Sequence, residues 1–191
     1  VPVKKGHKKG NKLIVIDTRQ VELTRYADLW LRPFPGTEKS LIGGMLKIIF
    51  DEGLQDVEFL ESKSENLDVL TASLASYNLD SVAETTGVAA AKIAIAARYF
   101  ASGSSAAVVY ALDNVAPEER APLTDSLINL ALVTGNVGKS KAGLFPLRPG
   151  ANSQGALDVG CNPAYLPGHV AVDSNPGLTT PAVLEAMVAG S

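Results

Sequence analysis

The stretch from Lys12 to Phe50, KLIVIDTRQVELTRYADLWLRPFPGTEKSLIGGMLKIIF, restricts the fold more than any other part of the chain. Leu13 to Ile16 is an unbroken apolar run rich in β-branched side chains, and Asp17, Thr18 and Arg19 follow it at once. A buried parallel strand reads this way, and the carboxyl end of such a strand is where open α/β sheets hold ligands. Ala27 to Leu31 reads as a second short strand, closed by Pro35 and Gly36. From Ser40 to Phe50 the apolar residues Leu41, Met45, Ile48 and Ile49 recur at helical spacing. Thr37 stands where an N-cap is expected, and Glu38 lies in the first turn, where a carboxylate suits the helix dipole.

The remainder continues the alternation. Helical spacing is expected over Gln55 to Leu60, Asn66 to Tyr77, Asp80 to Thr86 and Val88 to Ala101, the last with Ile93, Ala97 and Phe100 on one face. Ala106 to Leu112 reads as a third buried strand, and Pro117 opens a helix that reaches Thr134 and stops at Gly135. Beyond it, TGNVGKSKAGLFPLRPGANSQGALDVGCNPAYLPG is too rich in Gly, Pro and Asn for regular elements and too apolar for disorder. It reads as a long structured loop, a kind of segment that often carries function. One more amphipathic helix is expected over Thr180 to Val188, with Pro181 at its first position. The fold class is therefore α/β, a mainly parallel sheet flanked by helices, with the Gly/Pro-rich loop wrapping its carboxyl edge. The expected domains are residues 1–134 and an irregular extension, 135–191.

At 191 residues and 46% hydrophobic, the chain can bury the core of one large or two small domains. A net charge of −3 provides no attraction for nucleic acid or an anionic membrane. The basic cluster Lys4, Lys5, Lys8 and Lys9 is local and reads as a solvated helix end. The lone Cys161 forbids an internal disulfide and cannot by itself build a zinc or iron-sulfur site, so a reducing, cytoplasmic setting is expected. No apolar run approaches the roughly 20 residues of a membrane helix, and no N-terminal segment has signal-peptide form. The Lys/Gly-rich opening reads as the tail of a longer helix, and the chain as a piece of a larger protein.

Neither a Walker lysine loop nor GxGxxG is present. Gly43 and Gly44, inside a helix, are expected to admit a packed neighbour rather than a ligand. Gly135, Gly138 and Gly143, interleaved with Lys139 and Lys141, suit either turn chemistry or a backbone cradle for an anion. His7 and His169 lack metal-ligand spacing and are expected at the surface. No serine elbow or cysteine-base pair supports nucleophilic catalysis. Arg148, between Pro146 and Pro149, suits either a structural ion pair or an anion contact.

Taken in order, LIVIDTRQVELTRYADLWLRPFPGTEKSL, VAETTGVAAAKIAIAARYFA, LALVTGNVGKSKAGLFPLR and NSQGALDVGCNPAYLPG resemble successive blocks of the molybdopterin oxidoreductase family. That family includes formate dehydrogenase alpha subunits and the large iron-sulfur subunit of NADH:quinone oxidoreductase. The resemblance implies a Rossmann-like domain whose strand ends hold the guanosine half of a molybdopterin guanine dinucleotide. It places Asp17, Arg19, Gly36 and Glu38 at the guanosine contacts, the last where Asp or Asn is usual. It places Arg148 at the active-site arginine of formate dehydrogenases, and Asn152, Gln154 and Asp158 in the polar loop that follows. No catalytic residue is expected, Arg148 counting as one only if the chain is a formate dehydrogenase, and no metal ligand, the metal ligand and iron-sulfur cysteines lying outside these residues.

Two departures stand out. Where the family has a Gly-x-Gly-x-Thr-Gln segment after the third strand, this chain has Ala111 to Ala116, with Leu112 and Val115 expected to obstruct the pterin. Pro149 and Gly150 replace the Gly-Gln that follows the arginine. The resulting expectation is a structural, electron-transfer-supporting piece of the NADH:quinone oxidoreductase subunit with a degenerate pterin site and no cofactor of its own. The alternative is the molybdopterin guanine dinucleotide-binding domain of a formate dehydrogenase alpha subunit. Either way the expected partners are other domains of its own chain and other subunits of a redox complex, in the cytoplasm or peripheral to its membrane. Nucleic acid and direct membrane insertion are not expected.

Overall fold

A computed structural model describes residues 6, 10–148, 150–172 and 176–190. His7 and the cluster Lys4, Lys5, Lys8 and Lys9 lie outside the described residues. The chain divides into two compact units, 1–146 and 147–191.

In the first unit β1 (Ile14–Ile16) pairs in parallel with β2 (Leu29–Leu31), Ile14 opposite Leu29 and Ile16 opposite Leu31. A 3-10 turn, Glu22–Tyr26, occupies the crossover. Asp28 fastens the start of β1, its carboxylate accepting from the Leu13 N–H at 2.9 Å and from Lys12 Nζ at 3.0 Å. Next come α1 (Glu38–Asp51), α2 (Val57–Lys63), α3 (Leu67–Leu74), α4 (Leu79–Thr86) and α5 (Ala90–Ala101). After them, β3 (Ala107–Tyr110) and β4 (Gly143–Pro146) flank α6 (Pro117–Val133).

α1 is the centre of the core. Leu41, Ile42, Met45, Leu46, Ile48 and Ile49 are all buried, and α4, α5 and α6 pack around it. The helix is covered on more than one face because its two glycines let neighbours close in. A Cβ on Gly43 would lie 2.2 Å from the Tyr77 ring, and one on Gly44 would lie 2.9 Å from Val82. α5 contributes Ile93, Ala96 and Ala97, small enough for close helix contact, while Phe100 packs at the margin.

Three expectations are corrected here. Thr37 takes the N-cap position of α1, but its hydroxyl donates to the Phe34 carbonyl at 2.7 Å instead of accepting a helix N–H. The third strand is only half-buried: among the described residues β3 pairs with β4 and no other strand, and Val108 and Tyr110 face the core while Ala107 and Val109 stay exposed. The long Gly/Pro-rich segment is not irregular throughout. Leu144 and Phe145 lie in β4, parallel to β3 with Val108 opposite Leu144, a strand too short for its pattern to show among Gly143 and Pro146.

One buried amide ties this corner together. Asn136 accepts from the Ala106 N–H at 2.7 Å and donates to the carbonyl and hydroxyl of Thr134, at 3.2 and 2.9 Å. It thus joins the end of α6 to the start of β3. Gly135, Gly138 and Gly143 all have positive φ, and Gly135 N–H closes onto Leu132 O, the hydrogen bonding of a helix stop and not of an open anion cradle.

In the second unit α7 (Ser153–Asp158) precedes a two-stranded antiparallel hairpin, β5 (Tyr165–Leu166) and β6 (Val170–Ala171), and α8 (Thr180–Ala189) follows. Thr179 caps α8 by accepting from the Ala182 N–H, and Pro181 sits in its first turn. None of the described residues of this unit is buried. Among the described residues, no helix is long and apolar enough to cross a membrane.

Candidate functional site

Parallel pairing of β1 and β2 brings the carboxyl ends of both strands to one edge. From β1 this edge receives Asp17, Thr18 and Arg19; from β2 it receives Arg32 and the turn that contains Gly36 and leads into α1. Asp17 is held firmly. Its N–H donates to Leu31 O at 3.2 Å, its carbonyl accepts from the Trp30 indole at 3.0 Å, and its Oδ1 accepts from the Arg19 N–H at 2.8 Å. The Arg19 guanidinium lies 3.7 Å from the same oxygen, with two-thirds of its side chain exposed. About a quarter of the Asp17 side chain is exposed at this edge, 27% against 66% for Arg19.

Arg32 crosses back to donate to Thr18 O at 3.0 Å, and its guanidinium lies 5.8 Å from the Trp30 ring centroid. These contacts brace the two loops against each other. Gly36 adopts φ +82°, which an L side chain would resist, and the space around it is open. Glu38, half-buried, begins α1. Asp17, Arg19, Gly36 and Glu38 therefore occupy one edge of one unit.

The other candidates lie in the second unit. Asn152 is the N-cap of α7, its Oδ1 accepting from the Gly155 N–H at 3.1 Å, so the polar loop expected there is in fact a short helix. Gln154 and Asp158 are four residues apart on it, and Gln154 Nε2 donates to Asp158 Oδ1 at 3.0 Å. His169 Nε2 meets the same oxygen at 2.7 Å. Hydrogen bonds first from Gln154 and then from His169 hold the Asp158 carboxyl below its usual range. His169 is thus more than the isolated surface residue its spacing suggested. Only the Pro167-Gly168-His169 sequence, a turn-former beside an imidazole, hinted at it. Arg148 is exposed and makes no ion pair among the described residues.

In the segment after β3, Leu112 and Val115 are partly buried and pack against the core, with a turn from Leu112 O to the Val115 N–H. Ala111, Asp113 and Asn114 are exposed there instead. Among the described residues no cluster of three or more His, Cys, Asp or Glu could hold a metal. Cys161 is an exposed free thiol.

A parallel strand pair with helices packed beside it, and a carboxylate, a guanidinium and a glycine turn on its carboxyl edge, makes this an α/β domain. No family model matches the chain. It is 37% identical over 165 residues to the alpha subunit of F420-dependent formate dehydrogenase 2 of Methanococcus maripaludis, 86% of this chain and 24% of that protein. It is 36% identical to formate dehydrogenase H of Escherichia coli, covering 84% of this chain and 22% of the relative. The alpha subunit of the NADPH-Fe(3+) oxidoreductase of Geobacter sulfurreducens is 35% identical over 87% of the chain and 20% of its own length. Among solved structures, acetylene hydratase from Pelobacter acetylenicus superposes with a TM-score of 0.69 at 33% identity, over 72% of this chain and 19% of that one. The chain belongs to the molybdopterin oxidoreductase family. It spans between a fifth and a quarter of the length of these curated relatives.

Proposed function

We propose that the chain is the part of a formate dehydrogenase-type alpha subunit that holds the guanosine end of a molybdopterin guanine dinucleotide. The supporting observation is the partly exposed Asp17 carboxylate, braced beside Arg19 on a parallel edge, in a chain similar to two formate dehydrogenase proteins over more than four-fifths of its length. Guanine presents N1–H and N2–H donors side by side, and a carboxylate is the acceptor that takes both. A hydrogen bond to a charged group contributes about 1.5–3 kcal/mol. Arg19 suits the phosphates or the purine face, and Gly36 and Glu38 lie on the loop that closes the same edge.

When bound, the cofactor supplies the redox chemistry. The residues of this chain bind and orient its nucleotide end. Arg148, exposed and without an ion pair among the described residues, would meet an anionic substrate such as a carboxylate, and Asn152, Gln154 and Asp158 order the helix behind it. Full activity would then require further domains and the other subunits of a redox complex. The relatives above favour this reading over the NADH:quinone oxidoreductase subunit, because two of them carry formate dehydrogenase in their names and none of the three carries a quinone.

Titration of the 15N-labelled chain with millimolar GMP tests the reading. The expected shifts are confined to Asp17–Arg19 and Gly36–Glu38, are weak in affinity, and are absent with AMP and in Asp17→Ala. Equal response to AMP, or shifts elsewhere only, would reject it.

A further inference from the structure

We propose that His169 is a positioning residue: through an Nε2–H hydrogen bond to Asp158 it clasps the tip of the β5–β6 hairpin to α7, and so orders the segment that carries Asn152 and Gln154. The proposal does not depend on any cofactor being bound. Three contacts converge on Asp158. His169 Nε2 and Gln154 Nε2 reach Oδ1 at 2.7 and 3.0 Å, and the Gly168 N–H donates to the Asp158 carbonyl at 2.8 Å. Beside them, a Cβ on Gly160 would lie 2.9 Å from Pro167, so the α7 exit and the hairpin tip approach at van der Waals range.

His169 has φ +62°, a left-handed conformation that a non-glycine residue adopts at a cost. Burial does not provide the compensation, since none of the described residues of this unit is buried. The acid–imidazole contact is the strongest polar interaction at the tip.

The same geometry selects a tautomer. With the proton on Nε2, His169 and Gln154 both donate to one carboxylate oxygen. With it on Nδ1, the Nε2 lone pair would face that oxygen at 2.7 Å, and the only donor left to it would be Gln154 Nε2 at 3.3 Å. Asp158 therefore locks the Nε2–H form, and a second proton on Nδ1 turns the hydrogen bond into an ion pair. The groups facing His169 among the described residues are Asp158 and Gln154 from α7 and Tyr165 from β5, its ring 6.3 Å away. None is cationic. The clasp fails once Asp158 itself is protonated, and the lowered carboxyl pKa moves that failure to more acidic solution.

Two measurements on the 191-residue chain test this. Long-range 1H–15N correlation at neutral pH is expected to show His169 as the Nε2–H tautomer; the Nδ1–H form would overturn the proposal. Amide exchange at Gly168 is expected to be slow and to quicken at least about tenfold in His169→Gly, the loss of a charge-assisted hydrogen bond. A merely structural turn predicts the opposite for that variant, because glycine relieves the left-handed backbone. An unprotected Gly168 amide, or equal or slower exchange in His169→Gly, would overturn the clasp. Asp158→Ala should match His169→Gly, and its failure to quicken exchange would also reject the assignment.

Discussion

Asn136 is the residue whose loss should be felt most widely for its size. Replacing it with Ala strips the Ala106 N–H of its acceptor at the start of β3 and leaves the buried Thr134 hydroxyl short of a donor. An unsatisfied buried group costs about 1–3 kcal/mol, so Asn136→Ala should lower stability by about that much in a denaturant titration. Gly43 is sensitive for the opposite reason. A methyl group there would overlap the Tyr77 ring at 2.2 Å, and overpacking of this kind costs about 1–3 kcal/mol. Gly43→Ala should therefore destabilise, and adding Tyr77→Ala should recover part of the loss; a double-mutant cycle reads the coupling, and strict additivity would refute it.

At the scale of elements, a forked pair joins two helix ends of the core. Arg98 near the end of α5 donates to Glu52, the C-cap of α1, through Nε at 2.8 Å and Nη2 at 2.6 Å. The guanidinium holds the Glu52 carboxyl below its ordinary value of 4.5, by hydrogen bonding first and by charge second. A lowered folded-state pKa means the pair stabilises above the unfolded value and loses that contribution as pH falls through the folded one. Melting at pH 7 and pH 3 should thus show a modest acid-dependent loss that is smaller in Arg98→Gln. The effect is modest because both side chains are well exposed, at 54% and 35%. An acid dependence unchanged in the variant would remove this pair from the account.

At the scale of the molecule, the two units differ in what can hold them together. The first owns the buried cluster around α1, α5 and α6, so residues 1–146 expressed alone should melt cooperatively. The second has no buried residue among those described and exposes Leu184, Met187 and Val188 on α8, so residues 147–191 alone should show no cooperative transition by circular dichroism. The purified chain, which spans between a fifth and a quarter of the length of the relatives it matches, should not turn over formate. Turnover above background in a dye-reduction assay would contradict this.

Much of the fold followed from local chemistry. Apolar runs bounded by Pro and Gly placed β1, β2 and β3, helical spacing placed α1 through α6 and α8 to within a few residues, and the polar trio after β1 marked the edge where Asp17 and Arg19 stand. These features depend on neighbours along the chain, which is why they are legible. β4 was hidden because a four-residue strand beside Gly and Pro has no period to read, and it exists only because β3 offers it a hydrogen-bonding partner. The clasp at Asp158 was hidden because His169 lies eleven residues away and meets it only when the hairpin folds back. That Leu112 and Val115 pack against the core was likewise settled only by the tertiary structure. Sequence thus determined which segments become strands and helices and where polar groups follow them; tertiary structure decided which side chains face one another, since that depends on contacts between residues distant in the chain.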